Sequence, residues 1–170
     1  MHLVESFILK DIYLIKDEMD VFEMANEEIL SKALILRECI GTETNRVILY
    51  KSKKYDDNKN IVECIKYECN VESIDDAYEL LTKIGFKECM RYEQECLAYA
   101  LDDKQILIQY LPELGLFAEV ENDKDEEELI KDLQCFKMAY YEDDYYVKKA
   151  SLMLDKVKKQ RRCEYGRKEY

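Results

Sequence analysis

The sequence predicts an α+β protein in which antiparallel strands form a barrel, with helices packed outside. Six or seven short runs rich in β-branched and aromatic residues alternate with polar turns, as strands do. The apolar spacing becomes helical once in mid-chain and again in the last third. The chain has 170 residues with only four Gly and one Pro, so we expect a single domain over residues 1–170. Antiparallel strands joined by short turns can close into a barrel, which removes exposed edges.

Four strands are predicted before residue 72, since each run is apolar and bounded by polar residues. They cover Phe7–Ile15, Ala33–Ile40, Arg46–Lys51 and Ile61–Val71. The turn GTETN would join the second and third strands as a hairpin. Between the first two strands, NEEIL predicts a short helical turn with Asn26 as its cap.

The mid-chain helix begins at Ser73, where Ser73 and Asp76 form a capping-box-like start. It ends before Gly85, which is typical of the C′ position. Its apolar face would consist of Ile74, Ala77, Leu80, Leu81 and Ile84. Strands are predicted next, over 88–101, 105–110 and 116–121, with LDDK as a tight turn. Helices over Asp125–Ala139 and Val147–Lys159 follow, and we expect a frayed basic tail over 160–170.

The charge and cysteine pattern exclude several function classes. A formal net charge of −12 disfavours nonspecific binding to nucleic acid or to anionic membranes. No signal peptide and no apolar run of about 18 residues is evident, so we expect a cytoplasmic protein. The seven cysteines contain no CxxC and the chain has one His, which argues against a zinc site and against a Cys–His nucleophile. Their odd number argues against a disulfide framework.

The stretch LPELGLFAEVEND places like charges on one face of a strand. On a strand, Phe117, Glu119 and Glu121 point the same way. The residues alone leave two interpretations open. That face is either exposed to water, or it looks into a polar cavity that requires carboxylates.

An ordered set of segments resembles the CYTH superfamily, which includes class IV adenylate cyclases, thiamine triphosphatases and inorganic triphosphatases. The set is the Asp11-x-Tyr13 strand, ALILRE, ILYK, a helix ending in IGF, a strand ending in Tyr99 with the turn LDD, and LGLFAEVE. The resemblance covers about Asp11 to Lys159. It implies an eight-stranded antiparallel tunnel that binds a nucleoside or organic triphosphate among inward Lys and Arg residues.

The resemblance implies a metal site and an anion site. Glu119 and Glu121 match the carboxylates that hold Mg²⁺ or Mn²⁺, which prefer oxygen ligands. Arg37 and Lys51 match inward cations, and Lys53, Lys66 and Arg91 are further candidates for substrate binding. For Arg37 the alternative is a cross-strand ion pair.

The sequence also departs from the family pattern. Ile35, Gln94, Cys96 and Gln109 stand where charged residues are expected. Only ten residues precede Asp11, so the family's N-terminal Glu-x-Glu-x-Lys strand is lacking or lies outside this sequence. We therefore expect a CYTH-like protein whose triphosphate activity is weak or lost.

Three functions remain open at this point. The first is a metal-dependent triphosphate hydrolase or cyclase, and the second is a non-catalytic module that binds a ligand or protein on the same fold. The third is an interaction protein that uses the Tyr-rich C-terminal helices, and a homodimer would then cover their exposed faces.

Overall fold

The computed structural model describes residues 2–55, 61–101, 104–112, 114–121 and 145–165. In this part of the chain, seven strands form one antiparallel sheet in the order β4-β3-β2-β1-β5-β6-β7. The strands are β1 (His2–Lys16), β2 (Leu34–Ile40), β3 (Thr44–Tyr55), β4 (Ile61–Asn70), β5 (Phe86–Leu101), β6 (Lys104–Leu111) and β7 (Gly115–Glu121). The described helices are α1 (Asn26–Lys32), α2 (Ile74–Lys83) and α3 (Tyr145–Tyr165).

The predicted α+β class with antiparallel strands is confirmed. The barrel is not, because β4 and β7 are the two ends of the sheet and no pairing between these described strands closes it. A closed tunnel therefore stays a prediction. The predicted helix 125–139 lies outside the described residues. The final helix extends to Tyr165, so residues 160–165, assigned to a frayed tail from sequence, are helical.

The chain divides into two compact units. The first unit consists of Met1–Leu9, Cys39–Thr44 and Glu93–Asp143, and the second of Lys10–Glu38, Asn45–Tyr92 and Asp144–Tyr170. No described helix is both long and apolar enough to cross a membrane.

The core of the second unit forms where α2 packs on the sheet. Leu14 and Leu36 contact Ala77 and Leu81 there, and the partly buried neighbours include Tyr78. Ser73 caps α2 as predicted, because its hydroxyl accepts a hydrogen bond from the Asp76 N–H at 3.1 Å. Gly85 ends the helix with a φ of +95°, a conformation that favours glycine.

Two local predictions about helices are wrong. Leu80 and Ile84 do not belong to the buried face of α2, since their exposed fractions are 61% and 63%. Leu80 lies to one side of the buried face, and Ile84 follows the last helical turn. Asn26 does not cap α1, because its amide instead donates to α3, to the Ser151 hydroxyl at 3.0 Å and the Asp155 carboxylate at 2.8 Å.

In the first unit, the part of β5 from Glu93 onward forms an antiparallel meander with β6 and β7. Cys96 faces Gln109 across β5 and β6, and Gln109 faces Phe117 across β6 and β7. Directly opposed residues share a face of the sheet, so this register places all three side chains on the same face. Gly115, with a φ of +105°, starts β7.

Candidate functional site

A buried ion pair links β1 and β2 in the second unit. The Asp11 carboxylate is 1% exposed, and Arg37 donates to it from Nε at 2.7 Å and from Nη2 at 2.6 Å. This two-point contact is the strongest form of Arg–carboxylate pairing. Burial by itself lowers the pKa of Arg37, but the hydrogen bonds and charge of Asp11 raise it above its ordinary value. The guanidinium is therefore charged and held by its own chain.

A tyrosine pair extends this polar region along the same face of the sheet. Tyr13 follows Asp11 at the next position on that face of β1. Its hydroxyl lies 3.1 Å from the hydroxyl of Tyr92 on β5, and the two rings stack with centroids 5.8 Å apart. Burial raises the pKa of both hydroxyls well above the ordinary value, and the nearby charge of Asp11 raises them further. Both tyrosines therefore stay neutral hydrogen-bonding groups.

Helix α3 adds a lysine to the same region. Lys149 is 2% exposed, and its ammonium lies 5.8 Å from the centroid of the Tyr92 ring. A charge of this kind costs free energy to bury, and a cation–π contact offsets part of that cost. We name Asp11, Tyr13, Arg37, Tyr92 and Lys149 the buried polar cluster. Its formal charge is +1, from two cations and one carboxylate.

Only part of the buried polar cluster could be predicted from the sequence. Arg37 was predicted to bind an anion, which stays a prediction, and it forms the cross-strand ion pair that was the alternative. Asp11 and Tyr13 carried the family resemblance but no assigned role. Lys149 and Tyr92 were missed, because nothing in the spacing of α3 distinguishes Lys149 from the other lysines of that helix.

The other predicted cations lie in varied settings. Arg91 donates to both carboxylate oxygens of Glu88, from Nε at 2.8 Å, and lies 6.0 Å from the Tyr78 ring. Lys66 is exposed and forms an ion pair with Glu68. Lys51 on β3 faces Lys66 of β4 in the strand register. Lys53 faces Cys64, and its side chain lies outside the described part. Substrate binding by these residues stays a prediction.

The first unit carries a different polar surface, on β6, β7 and the part of β5 from Glu93 onward. Gln109 is 2% exposed, and its amide nitrogen donates to the Glu119 carboxylate at 3.1 Å. Gln94 and Cys96 are also buried, and Cys96 faces Gln109. We name Gln94, Cys96, Gln109 and Glu119 the glutamine face. Because Glu119 is partly buried and bonded to a buried amide, it does not lie on a plain wet strand face.

Of the two predicted metal ligands, only Glu119 has a side chain in the described part of the structure. Glu121 faces Gln105 in the strand register, and its side chain lies outside the described part. Among the described side chains, no group of three or more His, Cys, Asp or Glu is arranged to hold a metal ion. Binding of Mg²⁺ or Mn²⁺ by Glu119 and Glu121 therefore stays a prediction.

A separate cleft of about 410 Å³ lies at the start of α2 in the second unit. Its walls carry both signs of charge, and Arg46 there donates to Glu38 at 2.7 Å. None of the residues predicted to bind substrate or metal lines this cleft.

Comparison with known proteins identifies the fold. No protein-family model and no curated protein sequence matches the chain. The chain is similar to the solved structure of a candidate adenylate cyclase from Vibrio parahaemolyticus, with a TM-score of 0.58 and 16% identity over 85% of this chain and 82% of that one. Two Pyrococcus horikoshii proteins are also similar. The first has a TM-score of 0.55 and 19% identity, over 88% of this chain and 78% of that one. The second has a TM-score of 0.56 and 20% identity, over 83% of this chain and 79% of that one. At such identities the likeness establishes a shared fold and nothing finer.

Proposed function

We propose that this chain is a CYTH-like protein whose activity on triphosphates is weak or lost. The ordered segments from Asp11 to LGLFAEVE and the fold shared with a candidate adenylate cyclase support the CYTH part of the proposal. The observation that most supports a weak or lost activity is the buried ion pair between Arg37 and Asp11.

The pair matters because phosphate recognition depends on free cations. Oxygens of a triphosphate each require charge-assisted partners, and catalysis of phosphoryl chemistry rests mostly on positioning and electrostatics. Asp11 takes two of the five N–H groups of Arg37 and neutralises its charge, so a phosphate gains the full charge of Arg37 only by leaving the buried Asp11 carboxylate without its partner. Breaking a buried pair in this way costs about 3–5 kcal/mol. A triphosphate would therefore gain little net free energy from Arg37.

The neighbouring position on the same strand face also lacks a cation. Ile35 shares the strand face of Arg37, where the family resemblance implies a second cation, and it is buried and apolar. Arg91 and Lys66 are each bonded to a carboxylate of their own chain. Among the described side chains of the second unit, Lys149 is a further buried cation, and its ammonium already lies against the Tyr92 ring.

The glutamine face supports a second candidate function, a non-catalytic module for a neutral polar ligand. Buried amides such as those of Gln94 and Gln109 both donate and accept hydrogen bonds without carrying charge. Such groups suit a ligand with amide, hydroxyl or nucleobase edges better than a polyphosphate.

Calorimetric titration with tripolyphosphate, with and without Mg²⁺ or Mn²⁺, tests the proposal, together with an assay of ATP turnover. We expect binding no tighter than millimolar, or about −4 kcal/mol, and little turnover. The variant Asp11→Asn should bind severalfold more tightly, because it releases Arg37 from its carboxylate. Glu88→Gln is the matched control, since it releases Arg91 in the same manner outside the cluster.

Three outcomes separate the alternatives. Micromolar, metal-strengthened binding that weakens in Arg37→Ala and Glu119→Ala, with turnover of ATP, would contradict the proposal and establish a working enzyme. Tighter binding in Glu88→Gln rather than in Asp11→Asn would move the anion site to Arg91. No heat at millimolar ligand in any variant would favour the neutral-ligand module.

A further inference from the structure

From Ile65 to Asn70, the end strand β4 is exposed on both faces. Every side chain from Ile65 to Asn70 is exposed, although a strand that packs against its own protein buries alternate residues. Ile65, Tyr67 and Cys69 share one face, and Lys66, Glu68 and Asn70 share the other. Among the described strands, β4 pairs only with β3. The backbone groups along its outer edge can therefore form a ladder with a further strand.

We propose that this further strand is β4 of a second copy of the chain, paired antiparallel about a two-fold axis through Tyr67. A two-fold axis perpendicular to an antiparallel pair passes through a residue position, because facing residues share a face of the sheet. An axis at Lys66 or Glu68 would place a charged residue opposite itself. The axis at Tyr67 places each Lys66, which already pairs with Glu68 of its own chain, opposite Glu68 of the second copy as well, and symmetry repeats this contact.

The opposite face of the proposed β4–β4 pairing is apolar in both copies, so the two apolar surfaces would lie side by side. Tyr67 would face Tyr67 of the second copy, and Ile65 would face Cys69. The Tyr67 ring already stacks on Tyr50 of β3, with centroids 6.2 Å apart, so little side-chain freedom is lost on pairing. The junction would cover Ile65 and Tyr67, which are 42% and 57% exposed in the single chain. One face thus supplies complementary charge and the other supplies apolar contact.

The long-range charge of the chain opposes this association, since each copy carries a formal charge of −12. Screening limits that repulsion to about 8 Å at physiological ionic strength, so the test is made there. Sedimentation velocity over a concentration series measures the dimer dissociation constant. Lys66→Glu and Glu68→Lys should each weaken the dimer roughly tenfold or more, because each replaces two attractive pairs by two repulsive ones.

Mixing the two variants gives the sharper result. At positions 66 and 68 one variant carries two negative charges and the other carries two positive charges, so an equimolar mixture should form a heterodimer about as tight as the wild-type homodimer. Lys16→Glu and Glu18→Lys are matched controls, because Lys16 and Glu18 form an exposed pair with the same spacing at the end of β1. They should leave the dissociation constant unchanged.

A covalent test fixes the register. In a Cys69→Ser background, Tyr67→Cys should form a disulfide-linked dimer on mild oxidation, because facing Cα atoms lie about 4.5–5.5 Å apart. Glu68→Cys, which would face Lys66, should not crosslink. Circular dichroism verifies that every variant is folded. The proposal is overturned if the wild type stays monomeric at high micromolar concentration, which would leave the edge to a different chain. It is also overturned if a dimer forms that ignores both charge reversals, or if the mixture fails to restore it.

Discussion

Within the buried ion pair of Asp11 and Arg37, replacing Arg37 should destabilise the protein more than replacing Asp11. The Asp11 side chain is fully buried, whereas 24% of the Arg37 side chain is exposed. Breaking a buried pair costs about 3–5 kcal/mol, most of it from the charge left behind. In Arg37→Met the charge left behind is Asp11, which has no route to water, so we expect a loss near the upper end, about 5 kcal/mol.

In Asp11→Asn the charge left behind is the guanidinium of Arg37. It can shift toward water, and the new amide oxygen still accepts one of its hydrogen bonds. We expect a smaller loss, about 3 kcal/mol. The double variant Asp11→Asn/Arg37→Met should lose clearly less than the sum of the two, since each single variant already breaks the same pair.

Urea denaturation at pH 7 gives these free energies of unfolding, and an unchanged slope with urea shows that the same surface unfolds. Arg46→Met is the comparison, because Arg46 and Glu38 form a pair with 36% and 21% exposed side chains. Its loss should stay within about 1 kcal/mol. Additive losses, or a loss below about 1 kcal/mol in either single variant of the buried pair, would refute the reasoning.

Three further predictions concern titration and reactivity. Burial raises the pKa of Tyr13 above its ordinary 10.0, so the folded state keeps a proton that the unfolded state releases. Stability should therefore fall as the pH rises above 10. In Tyr13→Phe this fall should be smaller, as measured by the melting temperature at each pH. The hydrogen bond from Arg91 lowers the pKa of Glu88 below its ordinary 4.5, and this stabilisation is present above that pH and lost on acidification. Arg91→Gln should thus be less stable than the wild type at pH 7 and equal to it at pH 2, and an equal deficit at both would contradict this. Burial raises the pKa of the Cys89 thiol to about 12, so iodoacetamide at pH 8 should label exposed Cys69 and spare Cys89 in peptide mass maps of the folded protein.

Much of the secondary structure could be predicted because its signals are local. The alternation of β-branched residues predicts the strands, and the serine at position 73 supplies a hydrogen bond within its own turn. Asn26 shows the limit of such signals. Its side chain could cap its own helix, but it bonds α3 instead, which lies more than a hundred residues away in sequence.

The role of Arg37 depends equally on a partner distant in sequence. A basic residue on an inner strand is compatible with phosphate binding and with an ion pair. The tertiary structure adds the neighbour, because β1 places Asp11 beside Arg37 from 26 positions away. In the same way, the partly buried carboxylate of Glu119 is stabilised by the hydrogen bond that it accepts from Gln109 on the adjacent strand.

The sequence by itself determined the class of fold, the segments that carry the CYTH resemblance and the places where expected charges are missing. Only the tertiary structure decided that a retained arginine is held by a buried carboxylate, and that α3 brings Lys149 to Tyr92. The physical reason is that helix and strand preferences depend on neighbours in the chain. The free energy of a buried charge depends instead on whichever group the fold places within hydrogen-bonding distance.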